Sequence, residues 1–120
     1  MSVVAIDHIQ LAMPAGQEDA ARRFYAGLLG LSEVAKPAHL VARGGAWFEN
    51  LNVRIHLGVD PDFRPAKKAH PGLVVSNLNA LVDRLRTAGY PAADGDAREE
   101  YEHAYVDDPF GNRLELIQRV

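Results

Sequence analysis

The hydrophobic positions along this chain change period several times. From Val3 to Met13, "VVAIDHIQLAM" is a β-branched, aliphatic run with the turn signal "PAG" behind it, which predicts a strand. "QEDAARRFYAGLLG" switches to a helical period. Ala20, Ala21, Phe24 and Leu28 share a stripe, acids fill the first turn, and Gly30 offers a left-handed stop. "LSEVAK", "HLVARGG", "AWFEN" and "NVRIHLGV" then predict three or four short extended pieces, broken by Pro37, Gly44-Gly45 and Asn50. The connector "DPDFRPAKKA" follows, and the order begins again. "HPGLVVSN" predicts a strand, and "NLNALVDRLRTAG" a helix with Leu78, Leu81, Val82 and Leu85 on one face. Ser76 or Asn77 caps that helix, and Gly89 and Pro91 end it. Extended pieces at "HAYVDD" and "NRLELIQ" are joined by the turn "DPFGN".

Strand, helix and three strands thus occur twice, and the two halves stay in step. His8 and His70 lie 62 positions apart, as do Leu11 and Leu73. Arg54 and Arg113, His56 and Glu115, and Leu57 and Leu116 all lie 59 apart, so "RIHL" falls on "RLEL". The expected architecture is α+β: two tandem βαβββ modules at 1–58 and 69–120, joined by a linker at 59–68, forming a curved mixed sheet around a cavity in a single domain. One module supplies only half of such a cavity, and a half-barrel leaves apolar edges for a symmetric partner, so a homodimer is expected.

Composition narrows the function. At 120 residues the chain is long enough for one core, and 48% hydrophobic with 24% charged residues is ordinary globular usage. Thirteen basic against sixteen acidic residues, a net charge of −3, leave no basic stripe for nucleic acid. With no cysteine, disulfides, thiolate nucleophiles and zinc-thiolate sites are excluded, and any metal must use nitrogen and oxygen. No apolar run approaches a membrane span and no signal peptide leads the chain, so the cytoplasm is the expected location.

Glu115 raises the chemical question. Strand alternation places it opposite Leu114 and Leu116, and a carboxylate inside a domain needs a compensating partner. The same parity sets His8, His56, His70 and Glu115 on one face of their strands, away from Ile9, Leu11, Ile55, Leu57, Leu73, Val75, Leu114 and Leu116. Three imidazoles and a carboxylate suit a divalent ion such as iron, manganese, nickel, cobalt or zinc. Arg54 and Arg113, two positions before His56 and Glu115, are candidate clamps for an anionic substrate. Gln10, Trp47 and Tyr105 are candidate lining residues, with Phe48 and Tyr101 as further possible walls. His39 and His103 fall outside the pattern and are expected in solvent.

"IDHIQLAM", "KKAHPGLVVSNLNAL" and "YVDDPFGNRLELIQ" resemble the opening strand, second-module entry and closing hairpin of the vicinal oxygen chelate superfamily, over essentially the whole chain. The resemblance implies His8, His70 and Glu115 as the shared metal ligands, with His56 where lactoylglutathione lyases carry a second glutamate. It implies a metal-dependent enzyme acting on a small molecule with vicinal oxygens, a lyase or isomerase of the lactoylglutathione lyase type or a dioxygenase, with Glu115 as candidate catalytic base. The alternative implied is a metal-free protein of the bleomycin-resistance type that sequesters a small molecule.

Overall fold

The structure, a computed structural model, describes residues 2–120. Two compact units divide the chain, the first ending at Phe63 and the second running from Arg64 to Val120.

In the first unit β1 (Ile9–Met13) leads into a short helix, α1 (Glu18–Ala21), that continues as a π-helical turn over Arg22–Leu28. Strands β2 (Ser32–Val34), β3 (Ala46–Glu49) and β4 (Arg54–Val59) follow, and a 3-10 helix, Ala38–Arg43, lies between β2 and β3. The strand order is β1-β4-β3-β2, with β1 parallel to β4 and the other pairs antiparallel. The wider winding brings Phe24 and Tyr25 inward together, both fully buried, and Tyr25 stacks on Phe48 at 5.5 Å. The helix therefore covers the sheet face of Phe48, Ile55 and Leu57. Gln10, Trp47, Glu49, Arg54, His56 and Gly58 occupy the opposite face.

The second unit repeats this plan. β5 (Gly72–Val74), α2 (Leu78–Thr87), β6 (Ala93–Asp94), β7 (Tyr101–Asp107) and β8 (Arg113–Arg119) give the order β5-β8-β7-β6, again with the first strand parallel to the last. Asn77 caps α2 by accepting from the Ala80 N–H at 3.1 Å, and Leu78, Val82 and Leu85 are buried, like Ala104, Val106, Leu114 and Leu116 on β7 and β8. Register fixes the repeat at the level of single residues. Leu11 pairs with Leu57 and Leu73 with Leu116, so the offsets of 62 and 59 describe the same rung in each module.

Three expectations are corrected. The opening strand starts at Ile9, and residues 2–8 have no regular structure. "HLVARGG" is not extended: Ala38–Arg43 winds into the 3-10 helix behind Pro37, and Gly44 ends it at φ 75°. Phe48 belongs to the core and walls no pocket.

The hairpin that carries Glu115 is pinned by its turn. Asp108 Oδ1 accepts from the N–H groups of Phe110 and Asn112, and Oδ2 accepts from the Asn112 side-chain amide at 2.9 Å. This fixes β7 against β8 so that Tyr105 stands opposite Glu115, as Trp47 stands opposite His56 in the first module.

Candidate functional site

Glu115, 12% exposed at its side chain, has two imidazole partners. Its Oε1 lies 3.2 Å from His70 Nε2, and its Oε2 lies 2.7 Å from His103 Nδ1. The backbone places one proton on each ring. His70 Nδ1 faces the Lys68 carbonyl at 2.8 Å, and a carbonyl only accepts, so Nδ1 carries the hydrogen. His70 Nε2 is then the nitrogen turned toward the carboxylate oxygen. A proton or a cation can sit between these two atoms at 3.2 Å. That separation falls within the span of about 3–3.5 Å that two donors make when each sits near 2.1 Å from one ion.

His103 is where the sequence reading fails. It was expected in solvent, yet it is 4% exposed, the third position along β7 with its ring on the same sheet face as Tyr105. Its Nε2 donates to the Asp96 carbonyl and carboxylate, both at 2.9 Å, so its Nδ1 is the atom shared with Glu115. Burial alone would pull this imidazole's pKa down, but the bonds to Glu115 and Asp96 prevail and raise it. Asp96 is held below the usual carboxylate range by its bonds to Arg98 and His103. Period-two counting from Tyr105 could have placed His103 beside Glu115. The acidic stretch before it suggested solvent instead.

In the first module His8 is tied by Nδ1 to Asp7 Oδ2 at 2.8 Å. Its hydrogen bond holds the Asp7 carboxyl below its ordinary range. His8 thus repeats the His70 arrangement, with Nδ1 on an oxygen acceptor and Nε2 left over, the usual preparation of a metal-ligating histidine. His56 is built differently. Its ring, 5% exposed, stacks on Trp47 at 3.9 Å and on His8 at 4.5 Å, and rings so close can only take opposite faces. Its Nε2 meets Glu49 Oε2 at 3.0 Å.

The two candidate clamps are already engaged. Arg54 pairs with Asp7 at 3.0 Å and Glu49 at 3.7 Å, and Arg113 lies over the Tyr105 ring at 4.2 Å. Tyr105 also meets His70 and His103 edge-on at 5.6 and 5.4 Å, so it packs directly against the Glu115 cluster. Gln10 pairs in register with His56 and is exposed. Among the described residues no three His, Asp or Glu side chains are gathered as a ready-made metal cage, and His70 with Glu115 is the pair the second module offers. No helix among the described residues is long and apolar enough to cross a membrane.

The model of the Glyoxalase/Bleomycin resistance protein/Dioxygenase superfamily matches residues 5–116. The chain belongs to this superfamily. No curated protein sequence matches it. Among solved structures, a protein from Bacillus anthracis carried under the glyoxalase family name is 41% identical, with a TM-score of 0.93 over 100% of this chain and 98% of that one. The fosfomycin resistance protein FosX from Listeria monocytogenes has 11% identity and a TM-score of 0.78, covering 99% and 96%. TnmS3, an antibiotic binding protein from Streptomyces sp. CB03234, has 20% identity and a TM-score of 0.72, covering 98% and 100%. The last two share the glyoxalase-superfamily fold, and superfamily members of this fold serve different ends.

Proposed function

We propose that this glyoxalase-superfamily protein is a metal-dependent enzyme acting on a small molecule with vicinal oxygens, by proton transfer of the lyase or isomerase kind. The observation that carries the proposal is the meeting of His70 Nε2 with Glu115 Oε1 at 3.2 Å, with Nδ1 of the same ring held on the Lys68 carbonyl so that Nε2 is the nitrogen turned to the carboxylate. His70 and Glu115 would hold the ion in the second module, and His8, whose Nε2 is left over, is the candidate donor that the first module offers. His56 is paired in the same way with Glu49, at 3.0 Å within the first module, and is left outside this set.

A divalent ion held there would supply Lewis-acid polarisation of the substrate oxygens and would stabilise charge developing on them. Glu115 is the base. Oε2 accepts from His103, so Oε1, the oxygen turned to His70 and the ion, would take the proton by loosening from the ion, and a positioned base contributes about 10²–10⁴-fold in rate. His103 is the positioning residue, locked through Asp96 so that the carboxylate cannot turn.

Elemental analysis of protein purified without chelator should find stoichiometric metal in the wild type and little in His8→Ala or His70→Ala, with the unfolding midpoint preserved. A metal-free wild type that still binds small molecules would replace the enzyme with a sequestering protein. Mixing His8→Ala with Glu115→Gln protein adds a second readout, since metal is regained only if modules of two copies share an ion.

The same reading includes a homodimer. Val3, Val4 and Ile6 are 92%, 94% and 79% exposed just before β1, which is an edge strand of its sheet. Such an apolar strip beside unpaired strand groups calls for a second copy. Light scattering should report a dimer for the wild type and a monomer for Val4→Glu/Ile6→Glu; a dimer that survives both changes places the contact elsewhere.

A further inference from the structure

We propose that the first module carries a receptor for an oxyanion, a carboxylate or phosphate group of the substrate, in the cleft beside the 3-10 helix Ala38–Arg43. The cleft encloses about 230 Å³, and Gln10, Lys36, Arg43, Trp47 and Gly58 are among its lining residues. It opens on the sheet face of His56, since Gln10 and Trp47 are the register partners of His56 and Gly58 lies two residues beyond it.

Residue 58 is glycine, and the Gln10 side chain lies over it. A Cβ there would sit 2.5 Å from Gln10 Nε2. By the 62 and 59 offsets the second module has Gly72 in place of Gln10 and Ile117 in place of Gly58, so the bulk is on the other strand. The cleft is therefore a feature of the first module and no general consequence of the repeat.

Its charge points to the ligand. Lys36 Nζ is anchored on the Gly44 carbonyl, which holds the ammonium at the wall with other N–H groups to spare. The Arg43 guanidinium makes no hydrogen bond or ion pair among the described residues, in contrast to Arg22 and Arg54, which are paired with carboxylates. No acid lines the cleft. The Glu18 carboxylate accepts from the Gly45 N–H beside it at 3.5 Å. Two cations in one recess without an anion repel each other, and a planar fork beside a point charge suits a carboxylate or phosphate. The volume admits such a group with a few further atoms.

This deepens the enzymatic reading and rests on it only in taking the bound group as part of the substrate. Trp47 is the sole tryptophan, so its fluorescence reports on the cleft directly. Protein dialysed free of metal and chelator is titrated with inorganic phosphate, and separately with acetate and benzoate, at ionic strength held constant with chloride. A saturable change in the millimolar range is expected from phosphate or from the carboxylates, and whichever saturates names the group. Arg43→Gln should weaken it at least tenfold and Gly58→Val should abolish it. Arg23→Gln, on the exposed side of the helix, should leave it unchanged. Arg43 is exposed, so its variant folds even if Gly58→Val does not. No saturation by any probe, or an Arg43→Gln protein that titrates like wild type, overturns the receptor. Oxyanion binding without metal in the purified protein would keep the receptor and remove the catalytic reading; metal without oxyanion binding would do the reverse.

Discussion

Glu115→Gln protein is expected to leave a chelator-free purification without its ion, with metal affinity lowered more than 100-fold, while His103→Gln and Gly95→Ala lose about 10–100-fold, as loss of a supporting group does. The amide keeps the shape of the carboxylate but not its charge. If its oxygen accepts from His103 Nδ1, its NH₂ group is turned toward His70 Nε2, where a cation would otherwise sit. Gly95→Ala reaches the same carboxylate at one remove. A Cβ at 95 would lie 2.3 Å from His103 Nε2 and 2.5 Å from its Cδ2, and a ring fixed at both nitrogens has no nearby position to move to. Competition with a coloured chelator, using Co²⁺ or Ni²⁺, measures the affinities, and the metal-free unfolding midpoint controls for folding. Wild-type affinity in Glu115→Gln would refute the ligand assignment; wild-type affinity in the other two would refute only the positioning role of His103.

Much of this architecture is legible in the sequence, for reasons that individual residues show. Chain duplication preserves strand parity, so aligning "RIHL" with "RLEL" was enough to put Leu57 and Leu116 on equivalent rungs, as their pairing with Leu11 and Leu73 shows. Helix limits were legible at Asn77, Gly30 and Gly89 because a cap or a left-handed residue is a local requirement. What stayed hidden depends on contacts between distant residues. "HLVARGG" has the composition of a strand, but behind Pro37 it winds into a 3-10 helix that buries none of its residues. His103 follows an acidic stretch in sequence, yet in space it is buried among Tyr101, Tyr105, Glu115 and Asp96. The partners of Arg54, Asp7 and Glu49, come from two other segments, and neither carries a motif. Glu115 reads in sequence as a carboxylate compensated by an ion, whereas the structure sets His70 and His103 against it, each with its other nitrogen on a backbone carbonyl.

Gly45→Ala is expected to cost about 2–5 kcal/mol, lowering the unfolding midpoint by about 10–20 °C, although it adds one methyl group. Two penalties combine at this position. Gly45 holds φ at 85°, a left-handed conformation that costs an L-residue about 1–2 kcal/mol. Its added Cβ would also lie 2.1 Å from the Leu57 carbonyl oxygen, a backbone atom that no rotamer change can remove. Leu57 is the register partner of Ala46, the first rung between β3 and β4, so relief requires prising that rung apart. The next rung is Trp47 with His56, and its stacked rings should loosen, so the tryptophan emission should shift along with the stability. Gly16→Ala isolates the conformational penalty, because Gly16 has φ 80° and nothing within 4 Å of the new atom, and should cost only about 1–2 kcal/mol. Chemical denaturation of both variants gives the difference. Equal losses at 16 and 45 would mean that β3 slides past β4 without breaking the ladder, and the Trp47–His56 stack would then be a loose arrangement unable to shape the cleft beside it.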